Sequence, residues 1–172
     1  MTNKETIGYF RTHSYFGFLE SLLSPQDLVR AAEENHIQVL GLTDHHFLSG
    51  SIAFYEACLM VNIKPVLGLE IDIDYRGYQG RLTFLAQNKR GWSNLCSLST
   101  LGLASEVQIS IEILEKFSKG LICFAGGAFG ILRALIFNSP APQGLPKALL
   151  GDLKNIFNQH LFIEIQRFHN GP

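Results

Sequence analysis

The sequence predicts an α/β fold built on a parallel sheet, and three features point to it. Apolar runs of strand length alternate with segments of helical period, as in βα units. Apolar residues make up 47% and charged residues 17% of the 172, enough to bury a sizeable core and too apolar for a disordered tail. Polar, chemistry-bearing residues collect at the ends of the apolar runs, where the loops of such folds carry function.

Ile7 to His13 is the first expected strand. Ser24-Pro25-Gln26-Asp27 then reads as a helix start. It offers a Ser cap, a Pro where a missing N–H costs nothing, and a carboxylate three residues past the cap. That helix is expected to reach Asn35, with Leu28, Val29, Ala31 and Ala32 inward. Gln38 to Leu42 is the second strand, and Ser51 to Val61 a helix with Ile52, Tyr55, Cys58 and Leu59 on one face. Pro65 to Glu70 is the third strand. It is extended by the alternating run Ile71 to Tyr75, a turn at Arg76-Gly77, and a returning segment from Tyr78 to Leu85. Helices are expected over Gly91 to Leu101, Ser110 to Phe117, Phe129 to Phe137 and Lys147 to Phe157, and further strands over Gly120 to Phe124 and Leu161 to Ile165. No repeat or low-complexity tract divides the chain, and its length is that of about one domain.

Charge and cysteine content exclude several classes. Fourteen Lys and Arg against 15 Asp and Glu leave a net charge of -1, so no global basic field draws the chain to nucleic acid or an anionic membrane. Arg76, Arg81, Lys89 and Arg90 form the one local basic cluster, which reads as a solvated face. The most apolar stretch, Gly120 to Leu132, ends at Arg133, short of the roughly 20 residues of a membrane span. The start lacks the apolar run of a signal peptide. Cys58, Cys96 and Cys123 are odd in number and make no Cys-x-x-Cys pair, so a reducing compartment, the cytoplasm, is expected and the thiols are expected to be inert. Phosphate-loop, dinucleotide-loop and nucleophile-elbow motifs are missing.

What remains is the cluster at the strand ends: Arg11-Thr12-His13-Ser14, Thr43-Asp44-His45-His46, and Glu70 followed by Asp72 and Asp74. His13, His45 and Glu70 would converge on one rim. Two imidazoles and a carboxylate suit zinc, manganese or iron, and Asp44 could orient an imidazole from behind. The bland alternative, hydrogen-bonded rim residues, stands beside this. His36 reads as a solvated helix-end residue, and His160 and His169 have no assignable partner.

Several blocks in order carry a resemblance: Tyr9-Phe10-Arg11-Thr12-His13-Ser14, Leu40-Gly41-Leu42-Thr43-Asp44-His45, Lys64-Pro65-Val66-Leu67-Gly68-Leu69-Glu70, Leu82-Thr83-Phe84-Leu85-Ala86, Gly91-Trp92-Ser93-Asn94-Leu95 and Phe162-Ile163-Glu164-Ile165. Together they resemble the PHP (polymerase and histidinol phosphatase) domain of bacterial DNA polymerase III alpha subunits. The resemblance implies a distorted parallel (βα)7 barrel, TIM-like, with a metal site at the C-terminal rim of the strands. It makes residues 1–172 the N-terminal part of a PHP domain whose final strands and last ligand motif lie beyond Pro172.

Carried over position by position, the resemblance leaves His13, Glu20, His45 and Glu70 as residual metal ligands. Arg11, Arg81 and Gly127 stand where the family usually places ligands, so the implied site is degenerate and no catalytic residue is assigned. Arginine offers a metal no lone pair but supplies a fixed charge. Arg11 and Arg81 are expected to pair with Glu20 or Glu70. The implied function is a structural module of a DNA-directed DNA polymerase, a nucleotidyltransferase of replication or error-prone repair synthesis. This chain by itself is expected to be inactive. The alternative is a PHP phosphoesterase, an exonuclease or phosphatase. No cofactor is expected, or Zn2+ or Mn2+ at a residual site. Expected partners are the remaining polymerase domains or other replication subunits, with DNA reached only through the parent enzyme and no membrane.

Overall fold

The structure, a computed structural model, describes residues 7–104, 108–138 and 142–166. It is a mixed α/β fold that divides into two compact units, residues 1–70 and 71–172.

In the first unit, β1 (Gly8–Tyr9), β2 (Val39–Leu42) and the first half of β3 (Lys64–Tyr75) are parallel neighbours, with Tyr9 opposite Leu40 and Leu40 opposite Pro65. Only two residues of the expected first strand are regular. The rest still follows β2: Thr12 Oγ1 donates to the Gly41 carbonyl at 2.6 Å, and Thr43 N donates to Thr12 O at 2.9 Å. This approach is so close that a side chain at Gly41 would overlap the Phe10 backbone.

Helix α1 (Pro25–Glu34) begins at the anticipated capping box. Ser24 Oγ accepts from Asp27 N at 3.0 Å, and the Asp27 carboxylate accepts from Ser24 N at 3.1 Å. Both orphan donors are thereby satisfied. The helix buries Val29 and Ala32, whereas Ala31 faces solvent, contrary to the expected inward face. Helix α2 (Ser51–Met60) buries Ser51, Phe54 and Cys58, while Ile52, Tyr55 and Leu59 lie on its exposed side. α2 is apolar but for Ser51 and Glu56, so the exposed Glu56 was the one polar mark of its outer face, and the expected face was rotated. Val29, Leu40, Leu42, Phe54, Cys58 and Ile63 form the core of this unit.

The second unit holds the rest of β3, β4 (Tyr78–Ala86), β5 (Leu121–Gly126) and β6 (Leu161–Glu164), neighbours in that order. Its sheet is mixed rather than parallel throughout. The Arg76-Gly77 turn has both residues at positive φ, 55° and 84°, the conformation of a two-residue hairpin, so β4 folds straight back on β3. β4 is antiparallel to β5, and β5 parallel to β6. Among the described residues the two units contain six strands, not the seven of the implied barrel.

Helix α3 (Lys89–Leu103) is capped by Asn88, whose side chain accepts from Gly91 N at 3.0 Å. Helix α4 (Ile111–Phe117) follows. The helix expected over Phe129 to Phe137 is only a three-residue turn, α5 (Ile131–Arg133), running into a π-helical segment, Ala134–Asn138. Helix α6 (Leu145–Phe157) buries Leu149, Leu153 and Phe157, and the Phe84 and Phe157 rings lie 5.7 Å apart. No helix of the described residues is long and apolar enough to cross a membrane.

The thiols differ from one another. Burial pushes Cys58 up to about 11 and Cys123 further, which makes both poor nucleophiles; Cys96 is exposed on α3, so the expected apolar surroundings fail there, yet desolvation still raises its thiol.

Candidate functional site

The rim of the first unit is built by the segments that leave β1 and β2 and by the middle of β3. Arg11, His13 and Ser14 come from the stretch held against β2, Asp44 to His46 from the loop after β2, and Glu70 from within β3. Backbone bonds fix the register: Glu70 N donates to Asp44 O at 3.2 Å and His46 N to Glu70 O at 2.8 Å. His46 adopts φ 63°, and its ring centroid lies 4.0 Å from that of His45.

Glu70 is the centre of the site. Its side chain is fully buried, and its Oε1 pairs with the guanidinium of Arg11, itself only 13% exposed. On the other side His13 Nε2 lies 3.3 Å from Glu70 Oε2 without the alignment of a hydrogen bond. Glu20, on the loop before α1, places Oε1 3.3 Å from His45 Nδ1. Donor atoms of His13, Glu20 and Glu70 all lie within 4.8 Å of one another, a spacing and chemistry open to a divalent cation. A guanidinium already rests on one of those carboxylates, so a cation there would have to compete with a fixed positive charge.

Asp44 sits behind the rim. Its two oxygens accept from Ser14 N and Ser14 Oγ, each at 2.6 Å, and both residues are buried. Burial raises the Asp44 carboxyl above its ordinary value, against the opposing pull of the Ser14 bonds and of His13. Sequence reasoning missed Ser14. The signal was there, a hydroxyl next to His13 at a strand end, but a serine there has many other uses.

The other singled-out residues belong to the second unit. Arg81 lies 3.5 Å from Asp72 Oδ1, a carboxylate other than the two expected as its partners, and its guanidinium stands 5.0 Å above the Phe129 ring. Gly127 is in a turn at φ 74°. His160, unpartnered on sequence grounds, has its Nδ1 2.8 Å from Gln87 Nε2. The exposed His36, at φ 57°, follows the C-cap of α1, and His169 lies outside the described residues. Tyr75 donates to Asp152 at 2.7 Å, and burial together with that carboxylate pushes its hydroxyl up to about 12.

The family of PHP domains matches residues 10–168. The chain belongs to the PHP domain family. Among curated proteins it is similar to DNA polymerase III subunit alpha of Chlamydia muridarum, 32% identical over 90% of this chain. It is also similar to the subunits of that name from Aquifex aeolicus, 28% identical, and Borreliella burgdorferi, 27% identical, each over 92% of this chain. The chain spans only 13 to 15% of the length of these relatives. Among solved structures it is similar in fold to an amidohydrolase from Chromobacterium violaceum with bound sulfate and no metal, with a TM-score of 0.61 and 11% identity over 87% of this chain and 74% of that one. A putative metal-dependent phosphoesterase from Bifidobacterium adolescentis gives 0.59 and 12% over 86% and 75%. At these identities the structural likeness concerns the fold alone.

Proposed function

We propose that this chain is the PHP module of a DNA polymerase III alpha-type subunit and that its rim is structural. The observation that carries the reading is the similarity to alpha subunits along nine tenths of the chain. The Arg11–Glu70 pair supports the structural part, because a buried carboxylate balanced by a guanidinium needs no metal to be tolerated. In this reading residues 1–172 are the N-terminal part of a (βα)7 barrel in a cytoplasmic enzyme. Nucleotidyl transfer in replication or repair synthesis belongs to a separate catalytic domain with its own metal ions. His13, Glu20, His45 and Glu70 are remnants of a ligand set, and Asp44 holds the Ser14 loop behind them. DNA is reached through the parent enzyme, in keeping with the net charge of -1.

The test is recovery of partners on the tagged chain from a lysate of its source cells. Polymerase domains or replication subunits retained in the presence of a chelator support the reading. Their absence in both chelator and manganese sinks it.

A second reading, a metal-dependent phosphoesterase, is favoured by the proximity of His13, Glu20 and Glu70. It requires hydrolysis of a chromogenic phosphodiester or of single-stranded DNA in manganese that vanishes on His45→Ala or Glu70→Ala.

A further inference from the structure

We infer that this chain associates with a second copy of itself through two unlike patches, an apolar loop of the first unit of one copy seating on an arginine-bearing aromatic face of the second unit of the other. The inference does not depend on the polymerase reading.

The loop before α1 presents Phe18, Leu19, Leu22 and Leu23 to solvent, with Leu22 97% exposed. Isolated exposed leucines are ordinary, but four large apolar groups between positions 18 and 23 form a patch. The loop is tied down by its own backbone: Tyr15 N donates to Leu23 O at 2.8 Å and Gly17 N to Ser14 O at 3.0 Å. In the second unit a matching face lies on the segment that follows β5. Ile131 and Leu135 are buried, and a side chain at Gly80 would overlap the Ile131 backbone, so the segment is seated tightly on β4. That anchoring leaves Phe129, Ile136 and Phe137 outward, the last 74% exposed. The Arg81 guanidinium lies 5.0 Å from the Phe129 ring centre and that of Arg133 5.9 Å from the Phe137 ring centre, so apolar surface and positive charge are presented together.

Charge selects the occupant. The first unit carries four Lys and Arg against eight Asp and Glu, a net -4, and the second carries ten against seven, a net +3. The contrast holds at the two patches. From Thr12 to Val29 the sequence has Glu20 and Asp27 and no Lys or Arg, whereas from Lys116 to Gly151 it has Lys116, Lys119, Arg133 and Lys147 and no carboxylate. Unlike patches attract and like patches repel, which steers the loop of one copy to the aromatic face of another. Single-stranded nucleic acid would suit the arginine-bearing face but would leave the acidic loop uncovered. A second copy covers both. Because the contact joins two different patches, each can be broken without touching the other.

The experiment follows the full chain by analytical ultracentrifugation at low and high salt. Wild type is expected to sediment above monomer mass at low salt and to associate on the order of tenfold more weakly at high salt, where screening removes the charge attraction. Leu22→Gln breaks the loop patch and Phe137→Gln the aromatic one, and each variant alone should associate about 30-fold more weakly than wild type. Mixed, the two should form a one-to-one pair, because Phe137→Gln keeps an intact loop and Leu22→Gln an intact aromatic face. Both positions are exposed, so circular dichroism should be unchanged, and Phe18→Gln or Ile136→Gln replaces a variant that loses its fold. Wild type that stays monomeric overturns the inference, which is the result if another protein or single-stranded nucleic acid is what covers these patches. Association that survives both substitutions overturns it as well, as do variants that stay apart when mixed. None of these outcomes bears on partner recovery from the lysate, so the polymerase reading and this one can fail separately.

Discussion

Two of the arginine–carboxylate pairs among the described residues share their chemistry but lie in opposite surroundings. Arg11–Glu70 in the first unit joins a fully buried carboxylate to a guanidinium that is 13% exposed. Arg81–Asp72 in the second joins a guanidinium resting on Phe129 to a carboxylate that is 51% exposed. Water already solvates Asp72, so its partner adds little. Glu70 has no water to take over from Arg11, so the loss of that charge is felt in full within the protein. Sequence position alone treats the two arginines as equivalent substitutions. The burial of the carboxylate, and not of the arginine, separates the two pairs.

The sharpest way to break this contrast is Glu70→Gln, which leaves Arg11 without its carboxylate and should cost about 3–5 kcal/mol in urea unfolding. A loss below about 1 kcal/mol would put the buried pair on the level of the exposed one. Tyr75→Phe in the second unit removes one neutral donor to Asp152 and should cost about 1 kcal/mol. Asp72→Asn should change stability by less than about 0.5 kcal/mol, and high salt should erase even that.

Proton binding sharpens the comparison further. Burial raises the Asp44 carboxyl in the folded protein above its unfolded value of 3.8. The folded state therefore holds this proton more tightly than the unfolded one. The group's contribution to stability is complete below pH 3.8 and is lost as the pH rises through the folded midpoint. A carboxyl-carbon NMR titration should find that midpoint above 3.8, and a value at or below it would mean that the Ser14 bonds outweigh burial. The smallest effect concerns thiols. Native protein at pH 8 should react with a disulfide reagent at Cys96 while Cys58 and Cys123 stay protected until unfolding.

Local chemistry was legible in the sequence wherever a residue decides its own surroundings. Ser24 and Asp27 announced their reciprocal cap, and Arg76-Gly77 announced a turn because tight hairpins need positive φ. What depends on tertiary packing was not legible. Only Glu56 hints that Phe54 is buried and Tyr55 exposed, on a helix otherwise almost wholly apolar. The rim followed the same division. That Arg11, His13, Asp44 and His45 follow strands could be read from the pattern, whereas Glu70, expected at a strand end, lies within β3. That Arg11 meets Glu70, that Ser14 takes both oxygens of Asp44, and that Arg81 reaches Asp72 are set by parallel register and a hairpin, which couple residues some 10 to 60 positions apart.

Gly41 gives this register a consequence in the language of selection. With the Phe10 backbone pressed against its α-carbon, a library randomised at codon 41 and sorted for folded protein should return glycine almost exclusively. Codon 151 lies inside α6 with nothing within 4 Å of the missing side chain. The same sort there should enrich alanine and other strong helix formers, worth up to about 1 kcal/mol over the resident glycine. One glycine is held in place by its neighbours, and the other is free to drift.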